Sequence, residues 1–213
     1  GSAGREKDWG SSKEYERLAG VELVRNRIEM TAYLSSDVTI MHVSGDPDLM
    51  AVKKSLDEIE PFARERGVRI AIENGNFNAI NRLFADYEPE YLGLCYDCGH
   101  GNMIPDGLDQ LDAIKDRLIS VHLHDNDGQS DQHKPLFSGT VDWERLAGIP
   151  EWPNKPGNRS STQLLACGGK STPRNFPWSC GPSTTGSRIS PSYCAGAFCA
   201  NRLSQIDKIY NLL

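Results

Sequence analysis

No run of eighteen apolar residues occurs in this 213-residue chain, so no segment has the length and apolarity of a membrane-spanning helix. The start lacks the charged-then-apolar pattern of a secretory signal, and a cytoplasmic protein is the expectation. Glycine-rich phosphate loops of GxGxxG or GxxxxGK spacing are missing as well, which removes the usual sequence signs of a nucleotide site. Basic charge is scarce. The 23 Lys and Arg face 29 Asp and Glu, a net of −6 that argues against duplex DNA as a partner.

The shortages are uneven. Residues 1–151 hold 28 acidic against 16 basic side chains, a net of −12, whereas residues 152–213 hold one acid, Asp207, against seven bases. The second stretch also contains four of the six cysteines, Cys167, Cys180, Cys194 and Cys199, and is dense in Ser, Thr, Pro and Gly. Two differently composed segments therefore meet near residue 150. We read residues 1–150 as one α/β unit and 151–213 as an atypical segment ending in a short helix at Leu203, Ile206, Ile209 and Leu213.

Within the first segment the hydrophobic pattern is regular. Leu18, Val21, Val24, Ile28 and Ala32 mark one face of a helix over roughly 12–34. "DVTIMHV" (37–43) reads as a strand. Asp46 and Pro47 read as the N-cap and first position of a second helix, which carries Leu49, Val52, Leu56, Ile59 and Ala63 and stops at Gly67. "VRIAIE" (68–73), "YLGLCYD" (91–97) and "LISVHLH" (118–124) are further strands. Helical spacing follows them at Phe77, Ile80, Leu83 and Phe84, at Leu108, Leu111 and Ile114, and in "VDWERLAGI". Strand and helix alternate without hairpin signals, the pattern of a parallel sheet.

Strand period assigns faces. Glu73 shares one with Ala71 and Arg69, Asp97 with Cys95 and Gly93, and His122 with Ser120 and His124; Ile70, Ile72, Leu92, Leu94 and Val121 point the other way. Apolar outer faces with functional groups at the carboxyl ends suit a (β/α) barrel, with an open doubly wound sheet as the alternative. All five histidines fall at or just after strand ends: His42, His100, His122, His124 and His133. Glu73, Asp97 and Asp131 sit at matching places. Imidazole nitrogen with carboxylate oxygen suits Zn²⁺, Mn²⁺, Co²⁺ or Fe²⁺. Asp131 and His133 flank one residue, so an extended loop would turn both to one side. Asp125 and Asp127 read as turn formers or as partners that orient an imidazole. Cys95 and Cys98 form a CxxC with no second CxxC, which leaves a small inward side chain and a loop thiol.

The strand-end histidine, "IEN", "YDCGH", "HLHDN…DQH" and "GTVDW", in this order over about residues 12–148, resemble the xylose-isomerase-like TIM-barrel superfamily. That superfamily includes sugar and sugar-phosphate isomerases and epimerases and the endonuclease IV type of AP endonuclease. The resemblance implies a (β/α)8 barrel, incomplete here, with the first two strands missing and the C-terminal strands in doubt. It implies Glu73, Asp97 and His122 as ligands of a single-metal site. His42, His100, Asp131 and His133 resemble the additional ligands of the multi-zinc type. Glu73 is the expected catalytic base as well as a ligand, and His124 and Asn74 are expected to face substrate. The implied cofactor is a divalent metal: Zn, Mn, Co or Mg.

The pattern then breaks. The superfamily carries a glutamate at the end of its seventh strand, both ligand and second acid/base, and residues 152–206 contain no Asp or Glu. Acids, periodicity and motif pattern are lost together, which points to an out-of-frame stretch; a genuine basic, cysteine-containing tail is the competing reading. The leading functional expectation is a metal-dependent sugar or sugar-phosphate isomerase or epimerase, weakened or inactive without that glutamate. The alternatives are an endonuclease IV-like phosphodiesterase acting on abasic DNA and a non-catalytic metal-binding barrel remnant. The expected partner is a small sugar or sugar phosphate, with neither nucleic acid nor membrane, and exposed strand edges suggest a homodimer.

Overall fold

The computed structural model describes residues 8–43 and 45–149 together with the backbone of 165–166; the readings of the segment from 151 onward otherwise lie outside the described residues. Four strands and the helices between them alternate: α1 (Glu14–Tyr33), β1 (Val38–Met41), α2 (Leu49–Glu65), β2 (Arg69–Glu73), α3 (Phe77–Phe84), β3 (Leu92–Asp97), α4 (Cys98–Asn102), α5 (Gly107–Ala113), β4 (Leu118–Leu123) and α6 (Trp143–Gly148). A two-residue strand, β5 (Leu165–Ala166), pairs with β4. Every pairing is parallel and the strands lie in chain order, β1-β2-β3-β4-β5. The sheet curls. β1 and β4 approach each other across its concave side, where Val38, Ala71, Cys95 and Ile119 form an inner cluster. Ile70, Ile72, Leu92, Leu94, Val121 and Leu123 face outward into the larger core beneath the helices. This is the half-barrel form of a (β/α) barrel, and the open-sheet alternative falls away. No helix among the described residues is long and apolar enough to cross a membrane.

Two local expectations are corrected, and one strand departs from strict alternation. Helix α2 starts two residues later than Asp46-Pro47 suggests. Asp48 is the N-cap, its side chain accepting from Met50 and Ala51 N–H at 3.0 and 3.2 Å and so satisfying amides that have no partner within the helix. In α1, Leu18 is exposed and Arg17 buried in its place. Its guanidinium is held by Glu14 at 2.9 Å, Glu58 at 2.7 Å and Ser55 at 3.0 Å, so a fully paired charge occupies a position that periodicity alone gives to an aliphatic one. In β4, strict alternation would turn Ile119 outward with Val121. The register instead slips between Leu94 and Cys95, pairing Leu94 with Leu118 and Cys95 with Ser120. The bulge turns Ile119 inward, into space left by Gly93, where any Cβ would press on the Ile119 side chain at 2.7 Å.

Candidate metal centre

Parallel strands deliver their last residues to one rim, and the register brings them together. Glu73 lies opposite Cys95, and Asp97 lies opposite His122. His42 follows β1 directly. Asp97 ends β3 and N-caps the short α4, its Oδ1 accepting from His100 N–H at 2.9 Å, which turns the His100 ring back over the rim. Asp131 and His133 come from the long loop between β4 and α6.

Glu73 is the hub. Its side chain is buried, yet Oε1 lies 3.2 Å from His42 Nε2 and 3.0 Å from His100 Nδ1, and Oε2 lies 3.0 Å from His122 Nδ1. Asp97 Oδ2 is 3.3 Å from the same His122 nitrogen, and its Oδ1 is 2.9 Å from His124 Nε2. On the outer side, Asp131 stands 3.0 Å from His133, 3.5 Å from His100 and 3.8 Å from His124. All seven ligand candidates, His42, Glu73, Asp97, His100, His122, Asp131 and His133, therefore stand in one cluster.

Burial works to raise the Glu73 carboxyl, but His100, His122 and His42 outweigh it and hold it far below the usual carboxylate range. Asp97 is lowered in the same way, against its burial, by His122 and His100. The imidazoles move oppositely. The Glu73 contact carries His100 up to about 9, and Asp97, Cys95 and Glu73 carry His122 up to about 12.

The donors fit a divalent cation. Glu73 Oε2, though 3.0 Å from His122 Nδ1, and His122 Nε2 are buried without an aligned hydrogen-bond partner, unspent polar atoms of the kind a cation can engage. Three groups of donor atoms each lie within 4.8 Å of one another: Glu73, Cys95 and His122; Glu73, Asp97 and His100; and His124, Asp131 and His133. Donors around a tetrahedral ion with bonds of 2.0–2.3 Å stand about 3.3–3.8 Å apart, so closure needs only small side-chain movements. Cys95 is the donor that sequence reasoning passed over; as a small inward side chain it is where expected, but it also borders Glu73 and His122.

Several placements differ from expectation. Asn74, expected to face substrate, is buried, and its carboxamide is bonded to the backbone of Asp97. His124 is also buried, beneath the His133 ring, the two stacked at 3.9 Å and 5°. His133 is not in extended backbone; its φ of 49° is left-handed, a conformation that costs a non-glycine residue about 1–2 kcal/mol. The pair with Asp131 forms all the same, because the turn folds the ring back onto the carboxylate. Cys98 begins α4 rather than lying in a loop and donates to the His124 carbonyl at 3.0 Å. Asp127 forms a turn, accepting from Gln129 and Ser130 N–H. Asp125 orients no imidazole; it accepts from Asn126 and Val141 N–H and from the Trp143 indole.

Comparison with known proteins accords with this geometry. The pattern of the xylose isomerase-like TIM barrel family matches residues 2–149. The uncharacterized protein y4fM of Sinorhizobium fredii is 33% identical over 189 residues, covering 80% of this chain and 56% of that protein. The solved structure of a D-tagatose 3-epimerase-like protein superposes with a TM-score of 0.58 at 26% identity, covering 66% of this chain and 61% of that one. The TTHB071 protein from Thermus thermophilus, soaked with zinc chloride, gives a TM-score of 0.58 at 23% identity, covering 67% and 64%. The chain spans about half the length of the curated relatives it matches.

Proposed function

The chain belongs to the xylose isomerase-like TIM barrel family, and from that membership we propose that it is a divalent-metal-dependent isomerase or epimerase of sugars or sugar phosphates. The observation that carries the reading is the Glu73 carboxylate, surrounded by imidazoles that follow β1, lie in α4 and stand near the end of β4. Glu73, Asp97 and His122 would hold the ion, with Zn, Mn, Co and Mg as candidates. Bound there, it would polarise a sugar carbonyl and its adjacent hydroxyl and so lower the cost of removing a proton from the neighbouring carbon. Glu73, ionised under the pull of its imidazoles, accepts that proton at a carboxylate oxygen. Asp97 keeps His122 oriented. The sequence offers no acid between 152 and 206, so return of the proton would fall to His100, whose Nδ1 lies 3.0 Å from Glu73 Oε1.

The test is metal content by mass spectrometry on the purified chain, followed by ketose interconversion with and without chelator. About one ion per chain, chelator-sensitive interconversion and loss of both in Glu73→Gln are expected. A chain with no bound metal and no uptake of added metal would instead be the non-catalytic remnant. A second reading has one observation of its own. The outer donor group His124, Asp131 and His133 is suited to a further ion, as in a multi-metal phosphodiesterase. Two or three ions per chain and nicking of abasic DNA would favour it, against a surface of net −12 over residues 1–151.

A further inference from the structure

The β2–β3 ladder runs out where the metal cluster begins. Its last backbone rung is the Asn74 N–H to the Cys95 carbonyl, 3.1 Å. β2 ends at Glu73, and the chain leaves through Gly75 for α3, whose N-cap is Asn76. In a parallel ladder the N–H and C=O of one residue point to the same neighbour. Those of Asp97 point toward β2, where no strand residue remains to meet them, and Asp97 is 2% exposed. The Asn74 side chain meets both. Its Oδ1 accepts from the Asp97 N–H at 2.5 Å, and its Nδ2 donates to the Asp97 carbonyl at 3.0 Å. A carboxamide carries the same donor and acceptor as a peptide group, so it replaces one rung.

We propose that Asn74 is a positioning residue: its side chain adds the terminal rung of the β2–β3 ladder and so fixes the Asp97 carboxylate in register with Glu73 and His122. The inference rests on the metal reading above. Asp97 is the point where β3 gives way to α4, and the Asn74 clamp ties its backbone to the neighbouring strand. Its side chain must at the same time cap α4 at His100 and face His122 and His124. Released from Asn74, the backbone can settle on the α4 side, and the carboxylate moves relative to Glu73. The register between the two carboxylates would then be lost while the fold persists.

The test compares the full chain with Asn74→Leu, which keeps the shape, and with Asn74→Ala, should the first fold poorly. Two quantities are read: hydrogen exchange of the Asp97 amide without metal, and Co²⁺ titration followed by its visible absorption. Tyr91→Phe serves as a control, because it removes a buried hydrogen bond to Leu56 at the opposite end of β3. Faster Asp97 exchange in the Asn74 variants, a Co²⁺ affinity weaker by about 10–100-fold and an altered Co²⁺ spectrum are expected, with Tyr91→Phe leaving all three unchanged. Equal Asp97 exchange in wild type and variants would overturn the clamp. Faster exchange with unchanged affinity and spectrum would overturn the positioning role while leaving the metal reading intact. A wild-type chain that takes up neither Co²⁺ nor Zn²⁺ overturns the metal reading and the role with it, and the exchange data still decide the clamp.

Discussion

Replacing Asp125 by alanine tests whether the loop that carries Asp131 and His133 is held by a single buried carboxylate. Asp125 is 0% exposed. Oδ1 accepts from Asn126 N–H at 2.9 Å and Val141 N–H at 3.1 Å, and Oδ2 from Trp143 Nε1 at 3.0 Å. Its own N–H and C=O pair with Lys134 at 2.8 and 2.7 Å. One residue thus ties both ends of the 125–141 loop and the start of α6. Hydrogen bonds to a charged acceptor contribute about 1.5–3 kcal/mol each, and buried donors left unpaired cost about 1–3 kcal/mol. Allowing for water entering the space, Asp125→Ala should lower stability by roughly 3–5 kcal/mol. Asp125→Asn keeps one acceptor oxygen and should cost about half as much. Urea unfolding of the metal-free chain, analysed by linear extrapolation, measures both, with Asp127→Ala, at a half-buried turn former, as a control. A loss below about 1 kcal/mol for Asp125→Ala would refute the reasoning, since the three donors would then have found equal partners elsewhere.

Other expectations follow from the same geometry. A Cβ at Gly99 would enter the His124 ring, which is hemmed in by Asp97 and His133, so Gly99→Ala should cost about 1–3 kcal/mol and weaken any ion held by His124, Asp131 and His133; an unchanged unfolding midpoint would count against it. Arg17→Ala should cost about 3–5 kcal/mol and Arg17→Met much less, because only the first leaves both a cavity and broken pairing; urea midpoints that coincide for the two would contradict this. In the metal-free chain the raised imidazoles contribute stability that is complete below their ordinary value of 6.5, and for His100 it is lost as pH rises through about 9. The lowered Glu73 and Asp97 contribute stability that is present above 4.5 and 3.8 and lost as pH falls. Thermal melts in chelator should therefore peak between 4.5 and 6.5 and decline on the alkaline side, a decline that bound metal should remove by replacing the imidazole protons.

What was legible in the sequence follows from how each feature is encoded. The alternation of strand and helix is written in periodicity, and the site's rim is written in position, since parallel strands must bring their carboxyl ends to one edge. Glu73, Asp97 and His122 could be placed on that rim from position, and the family resemblance singled them out as a set. Features set by side-chain chemistry across elements were not readable. Arg17 breaks the apolar face of α1 because its partners, Ser55 and Glu58, come from α2. Ile119 turns inward through a bulge that depends on the Gly93 gap in the neighbouring strand. Asn74 directly follows the candidate ligand Glu73 and so reads as a substrate contact, yet its partner is the backbone of a residue 23 positions away.

The cluster also explains how so many like charges can share one rim before any ion arrives. Glu73, Asp97 and Asp131 would repel one another in a partly buried site. Each instead faces at least one imidazole, and His100 and His122 are raised enough to carry protons at neutral pH. Imidazolium protons therefore occupy the electrostatic role a divalent cation would take, and the carboxylates are held near their ligating positions without it. Metal uptake must then displace those protons. Its affinity should rise with pH by the number of protons released, which metal titrations in buffers of different ionisation enthalpy would count. A pH-independent affinity between 6.5 and 9 would mean that the imidazoles are not in the coordination sphere.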